Sequence, residues 1–161
     1  MYHTQERWPN RLTKPILCTD PGAWLGEAFY FWYSEEDAHF WGIDKKRKTR
    51  YFEVYNAVIE SDKILDTVFN EEHYLFWVKN VEHALKRLTK AGTIATITTI
   101  NEFFKDRGIW SELDGILFQD ISTNKERNTI FGFYYKKRIQ LGLFKQDKIK
   151  DFGFRYDCAC T

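Results

Sequence analysis

The spacing of apolar residues changes character twice along this chain, and that change limits the folds open to it. The early segments carry short, aromatic-rich runs of the kind strands use. Examples are Phe29–Tyr33 and Tyr51–Val58, with a shorter first run at Met1–Thr4. The middle turns helical: within Tyr74–Lys90, the residues Val78, Val81, Leu85 and Leu88 step by 3, 4 and 3 and set one apolar stripe on one face. Gly92 ends that helix, and Thr99 with Glu102 has the spacing of a capping box for a second helix that Gly108 closes. Strand-type runs then return at Gly115–Phe118, Ile130–Tyr135 and Ile139–Phe144. Strands, then helices, then strands predict an α+β fold with a mixed or antiparallel sheet.

The shorter signals fill in the rest. Asn10–Gly26 reads as loop, with a short strand near Ile16–Cys18. Ser34, with Asp37 three residues on, reads as the N-cap of a short helix Glu35–Trp41, followed by a basic turn over Asp44–Arg50. Alternation puts Phe29, Phe31 and Tyr33 on one face of their strand and Tyr30 and Trp32 on the other. The 161 residues show no linker or repeat and fit a single domain, 1–161, whose core needs no disulfide or metal. A net charge of +1 neither announces a nucleic-acid partner nor excludes one, because local patches can carry that role. Cys18, Cys158 and Cys160 are odd in number and lack a C-x-x-C spacing, so reduced thiols in a cytoplasmic protein are expected. No secretory-type segment opens the chain, and no apolar run approaches the roughly 18 residues of a membrane span. His39, His73 and His83 lack metal-ligand spacing and read as helix-surface or half-buried residues, so no metal is expected.

Three separated segments gain meaning when read together. The first is Tyr2-His3-Thr4. The second is Gly26-Glu27-Ala28-Phe29-Tyr30-Phe31, running on through Ala38 to Trp41. The third is Gln140-Leu141-Gly142-Leu143-Phe144, followed by Ile149. Their order and offsets resemble the His-Tyr-Glu branch of the ADP-ribosyltransferases. That branch includes poly-ADP-ribose polymerases, diphtheria-type toxins and small bacterial and phage-defence toxins. His3-Thr4 matches a first-strand His and small residue, and Gly26, Tyr30 and Phe31 match G-x-x-x-Y-F. Trp41, eleven residues after Tyr30, matches a second stacking aromatic, and Ala38 a small residue between them. Gln140 stands where the family has Glu, with Phe144 four and Ile149 nine residues later. Asp114-Gly115-Ile116 resembles the D-G-I that precedes the last strands in bacterial members.

The resemblance implies a split mixed or antiparallel sheet with flanking helices, NAD+ as co-substrate, and transfer of ADP-ribose to a macromolecule. The residue types suit that chemistry. Nicotinamide in NAD+ is flat and cationic, and an aromatic on each face contributes roughly 0.5–2 kcal/mol by cation–π attraction. Tyr30 and Trp41 are assigned that sandwich. The Thr4 backbone is expected to hold the carboxamide, and His3 the adenine-side ribose hydroxyls. Gln140 would hydrogen-bond the nicotinamide-ribose 2′-OH and orient the acceptor. On this reading His3, Tyr30 and Gln140 are catalytic. His3, Thr4, Tyr30, Ala38 and Trp41 bind NAD+. Gln140 brings no charge to the developing cation, which favours single transfer over polymer synthesis. Glu126, in the polar stretch Asn124–Asn128, is an acid that could serve instead.

Two basic clusters flank these motifs: Lys45, Lys46, Arg47 and Lys48 after the short helix, and Lys136, Lys137 and Arg138 before Gln140. They read as phosphate-contacting lips, with Tyr134 and Tyr135 able to stack a base. They tilt the expected acceptor toward nucleic acid, RNA included, over protein. The small size suits a cytoplasmic toxin held by an antitoxin or chaperone, without a membrane partner. The alternatives are a catalytically weak binding module on the same fold, which Gln140 favours, and an NAD+ glycohydrolase passing ADP-ribose to water.

Overall fold

The computed structural model describes residues 1–20, 22–45, 48–121 and 137–160. Seven strands form one mixed sheet: β1 (Tyr2–Glu6), β2 (Phe29–Trp32), β3 (Tyr51–Ile59), β4 (Ile64–Asp66), β5 (Gly115–Ile121), β6 (Lys137–Leu143) and β7 (Ile149–Ala159). Their order is β4-β5-β6-β2-β1-β3-β7. Only β4 and β5 run parallel; the other neighbours are antiparallel. Among the described residues three helices accompany the sheet: α1 (Glu35–Lys45), α2 (Glu71–Lys90) and α3 (Ile97–Asp106). This is the α+β class the sequence predicts.

The sheet is tightly laddered on both sides of one weak seam. β2 pairs with β6 over four residues, and β1 with β3 over five. Between β1 and β2 the register holds a single pair, Tyr2 with Trp32. Beyond it the two strands diverge, leaving two half-sheets, β4-β5-β6-β2 and β1-β3-β7.

The side chains of one sheet face, including Phe29, Phe31, Ala57, Leu117, Leu141 and Leu143, pack into one cluster. The other face carries two clusters, one of which spans the seam through Trp32 of β2. Ala38 of α1 packs with Trp32, Phe52 and Val54, while Trp77 and Ala84 of α2 and Ile100 and Phe104 of α3 pack with Leu65 and Ile116. Both helical groups therefore cover the same face, with α1 reaching across the seam to Trp32. The α1 group sits close because of Gly42: a methyl there would run into the Phe52 ring.

Several elements differ from the sequence reading. α1 continues past Trp41 to Lys45 and takes the first part of the expected basic turn. α2 begins at Glu71, because the Asn70 side chain accepts from the His73 amide and caps it three residues earlier than Tyr74. Leu85 leaves the apolar stripe and is exposed, while Trp77 and Ala84 are buried. The capping box of α3 is Thr96 with Thr99, not Thr99 with Glu102. The expected strand near Ile16–Cys18 is a single bridge, Cys18 to Ala28. The short β4 and the long β7 were not anticipated. The expected strand Ile130–Tyr135 lies outside the described residues.

Asp114, the first residue of the D-G-I motif, staples three elements. Its amide donates to the Lys63 carbonyl (3.0 Å) and its carbonyl accepts from Phe144 (2.7 Å). Its carboxylate accepts from Ser61 Oγ at 2.7 Å and pairs with Lys145 at 2.7 Å and Lys148 at 3.6 Å. The hydrogen bonds from Lys145 and Ser61 pull its pKa down to about 2, against the desolvation that would raise it.

Two predictions follow from this packing. Gly42→Ala would add helix propensity, yet the clash with Phe52 should win and cost about 1–3 kcal/mol; a raised melting temperature would refute the close packing. For Asp114 the native pKa is depressed, so its stabilisation is complete above the ordinary Asp range. It is lost as pH falls toward about 2. A depression of this size contributes on the order of 2 kcal/mol near neutrality. Asp114→Asn should remove that amount at pH 7 and flatten acid denaturation between pH 5 and 2, measured by urea titration at each pH.

Candidate functional site

Where β1 and β2 diverge, the backbone of β1 changes what it offers. In an antiparallel pair, residues alternate between exchanging hydrogen bonds with the partner strand and pointing their N–H and C=O away. Met1 and Arg7 bond to β3, through Ala57 N–H to Met1 O (2.8 Å) and Arg7 N–H to Tyr51 O (3.0 Å). Odd-numbered residues of β1 thus face β3, and Thr4 aims its amide and carbonyl at the gap on the β2 side. Its hydroxyl donates to the Ala38 carbonyl at 2.7 Å and locks α1 to the strand.

His3 bridges the gap. Its Nδ1 lies 2.9 Å from the Tyr30 carbonyl oxygen. A carbonyl only accepts, so Nδ1 carries the proton in this contact. The imidazole is 5% exposed and packs near the Phe31 and Phe152 rings.

A cleft of about 400 Å³ opens over this seam, and His3, Thr4, Tyr30, Trp41 and Gln140 all line it. These residues come from three distant segments: β1, β2 with α1, and β6. Trp41 reaches in from α1, 5.5 Å from Trp32. Tyr30 reaches in from β2, and its hydroxyl accepts from the Leu25 amide (3.1 Å) and donates to the Gly26 carbonyl (3.0 Å). Burial pushes that phenol well above the usual tyrosine range. The same bonds tie down the loop before β2, where Gly26 adopts φ +70°, a conformation that favours glycine.

Gln140 is 6% exposed and sits opposite Trp32 in the ladder. The indole N–H of Trp24 lies 3.0 Å from its side-chain oxygen. Indole N–H only donates, so this contact fixes the amide orientation, with Oε1 toward Trp24 and Nε2 as the other end. Trp24 is itself held by packing on Phe118, 4.6 Å away, and by the Asn101 side-chain amide, which donates to its carbonyl. Trp24 and Trp32 are cleft residues the sequence reading missed. Trp24 lies in a loop with no periodicity to mark it, whereas Trp32 shares the strand face of Tyr30, and that alternation was the signal for it.

The remaining sequence candidates separate. Ala38 is fully buried and meets the cleft only through Thr4. Arg138, read as a target-facing cation, is 5% exposed, with its guanidinium 5.3 Å from the Trp32 ring centre. It lies on the same face of β6 as Gln140, two residues along, which is why it turns inward. Lys45 stands 5.8 Å over the Trp41 ring. Lys48 and Lys137 are exposed. Lys46, Arg47, Glu126, Tyr134, Tyr135 and Lys136 lie outside the described residues. Phe144 falls just past β6 and packs on Trp110 at 5.4 Å, away from the cleft.

Among the described residues, no group of three or more His, Cys, Asp or Glu side chains could hold a metal ion, and no helix is long and apolar enough to cross a membrane. No family model, curated protein or solved structure matches the chain.

Trp24→Phe keeps a ring against Phe118 and removes the donor to Gln140. It should cost about 1–3 kcal/mol, since the Gln140 oxygen loses its partner while buried. The side-chain amide protons of Gln140 should shift in the amide NMR spectrum. Unchanged Gln140 signals would show that the indole does not orient it.

Proposed function

We propose that this chain is an NAD+-dependent mono-ADP-ribosyltransferase with an ADP-ribosyltransferase-like fold, acting as an intracellular toxin on a macromolecular acceptor. The observation that carries the reading is the seam cleft. Five residues picked out by sequence resemblance, and scattered from position 3 to position 140, line one cavity.

On this reading NAD+ enters the cleft nicotinamide first. The Thr4 amide and carbonyl, turned away from β3, pair with the carboxamide as a neighbouring strand would. Tyr30 and Trp41 flank the cationic ring. His3 Nε2 takes a ribose hydroxyl, while Nδ1–H stays on the Tyr30 carbonyl and holds the ring in place. The Gln140 amide end positions the nicotinamide ribose. Loss of nicotinamide leaves an oxocarbenium-like sugar, which the acceptor captures. NAD+ is a co-substrate here, and no metal is needed by the step.

The acceptor favoured is a nucleic acid. The exposed Lys48 and Lys137, on segments that border the cleft residues, support this reading, because phosphate neutralisation supplies most sequence-independent affinity. A catalytically weak binding module is the second reading. It is favoured by the uncharged Gln140, whose oxygen is already committed to Trp24.

The test is incubation of purified protein with 32P-labelled NAD+ and a whole-cell lysate, followed by separate nuclease and protease digestion. Nuclease-sensitive label is expected, and protease-sensitive label would move the acceptor to protein. Nicotinamide release without labelled macromolecule would indicate a glycohydrolase, and intact NAD+ would favour the binding module. His3→Ala and Tyr30→Ala should each abolish labelling; unchanged labelling in both would remove these residues from the site.

A further inference from the structure

The seam cleft has a neighbour. A second cleft, of about 550 Å³, runs between the loop before β2 and α3, with Asn101, Lys105, Trp110 and Phe144 in its wall. Thr19 and Asp20 line both clefts. In a two-substrate transfer, the residue common to two adjoining cavities stands where donor and acceptor meet.

Asp20 is held there by its own loop. Its Oδ1 accepts from the Gly22 amide at 2.8 Å. Its carbonyl accepts from Ala23 at 2.9 Å, and the Ala23 carbonyl from Gly26 at 2.9 Å. The Tyr30 hydroxyl then closes the loop onto β2 through Leu25 and Gly26. Among the described residues lining the seam cleft, Asp20 is the one carboxylate. Gln140 cannot take a proton, and its oxygen is occupied by Trp24.

Building on the transferase reading, we propose that Asp20 is the general base that activates the acceptor, and that the second cleft is where the acceptor group is received. The C1′–N bond of NAD+ breaks, and its electron pair leaves on the nicotinamide nitrogen. The acceptor's oxygen or nitrogen forms the new bond to C1′. Its proton passes to the Asp20 carboxylate and from there to solvent. No oxidant or metal enters the balance.

Asp20→Asn isolates this role, because an asparagine oxygen still accepts from the Gly22 amide and keeps the loop. NAD+ affinity would be read by quenching of tryptophan fluorescence, and turnover by nicotinamide release with whole-cell lysate as acceptor source. We expect NAD+ affinity within about threefold of the unaltered protein. Turnover should fall at least tenfold, within the roughly 10²–10⁴ range of general-base contributions. A smaller loss of turnover overturns the assignment and leaves the transferase reading intact. Lost NAD+ binding in the variant also overturns it, since Asp20 would then be holding the donor. If the unaltered protein neither binds nor cleaves NAD+, the transferase reading fails and this inference fails with it.

Discussion

The molecule is organised around two strands that should pair and do not. β1 and β2 are neighbours in the sheet, but only Tyr2 and Trp32 keep register. Backbone groups left without partners in a buried place cost about 1–3 kcal/mol each, so the gap demands substitutes. His3 supplies one by donating to the Tyr30 carbonyl. Thr4 locks the far wall through the Ala38 carbonyl, leaving its own backbone pair facing the opening. The ladders to β3 on one side and β6 on the other hold the two half-sheets apart. The cleft follows from topology, and the two helical groups, both on one face, frame it.

The unusual aromatic content divides into two populations. Trp77 and Trp110 stack under α2 and α3 and Phe104 meets both edge-on, with ring centres 5.2–5.8 Å apart. Trp24, Tyr30, Trp32 and Trp41 ring the seam, where two of them meet cations: Arg138 over Trp32 and Lys45 over Trp41. The first group supplies burial. The second makes a cavity whose walls are flat, apolar and electron-rich on their faces, which suits a planar cation.

The sequence carried the elements with strong periodicity and lost those defined by tertiary contact. β2 and β3 were legible from alternation, and α2 from helical spacing. β7 was not: its residues Ile149–Ala159 mix charged and aromatic side chains, and it exists because it completes β3 along nine registered positions. Leu85 fits a stripe by spacing but turns outward, since Trp77 and Ala84 meet the sheet instead. For the site, the eleven-residue offset from Tyr30 recovered Trp41 in the same cavity, while the offset from Gln140 led to Phe144, which packs away from it. Trp24 and Asp20 escaped notice because a loop residue has no periodicity to betray it. Arg138 misled for a related reason: a basic run reads as solvated, yet a strand turns alternate members inward.

Position 140 shows how a neighbour can set what a side chain offers. An amide or a carboxylate there could accept from the Trp24 indole, the carboxylate more strongly. They differ in the half turned away from it: an amide presents N–H, and a carboxylate presents charge. With 6% of the residue exposed, a carboxylate at 140 would be desolvated, a cost that the buried Arg138, two residues along the same strand face, would offset only in part. The neutral amide avoids that burden and leaves the strand a positioning element. Charge is better carried where water and partners have access, on the exposed loop that holds Asp20 at the junction of the two clefts. On the transferase reading proposed above, separating orientation in the sheet from charge on the loop would let the rigid part of the fold hold the donor and leave proton transfer to the side the acceptor approaches.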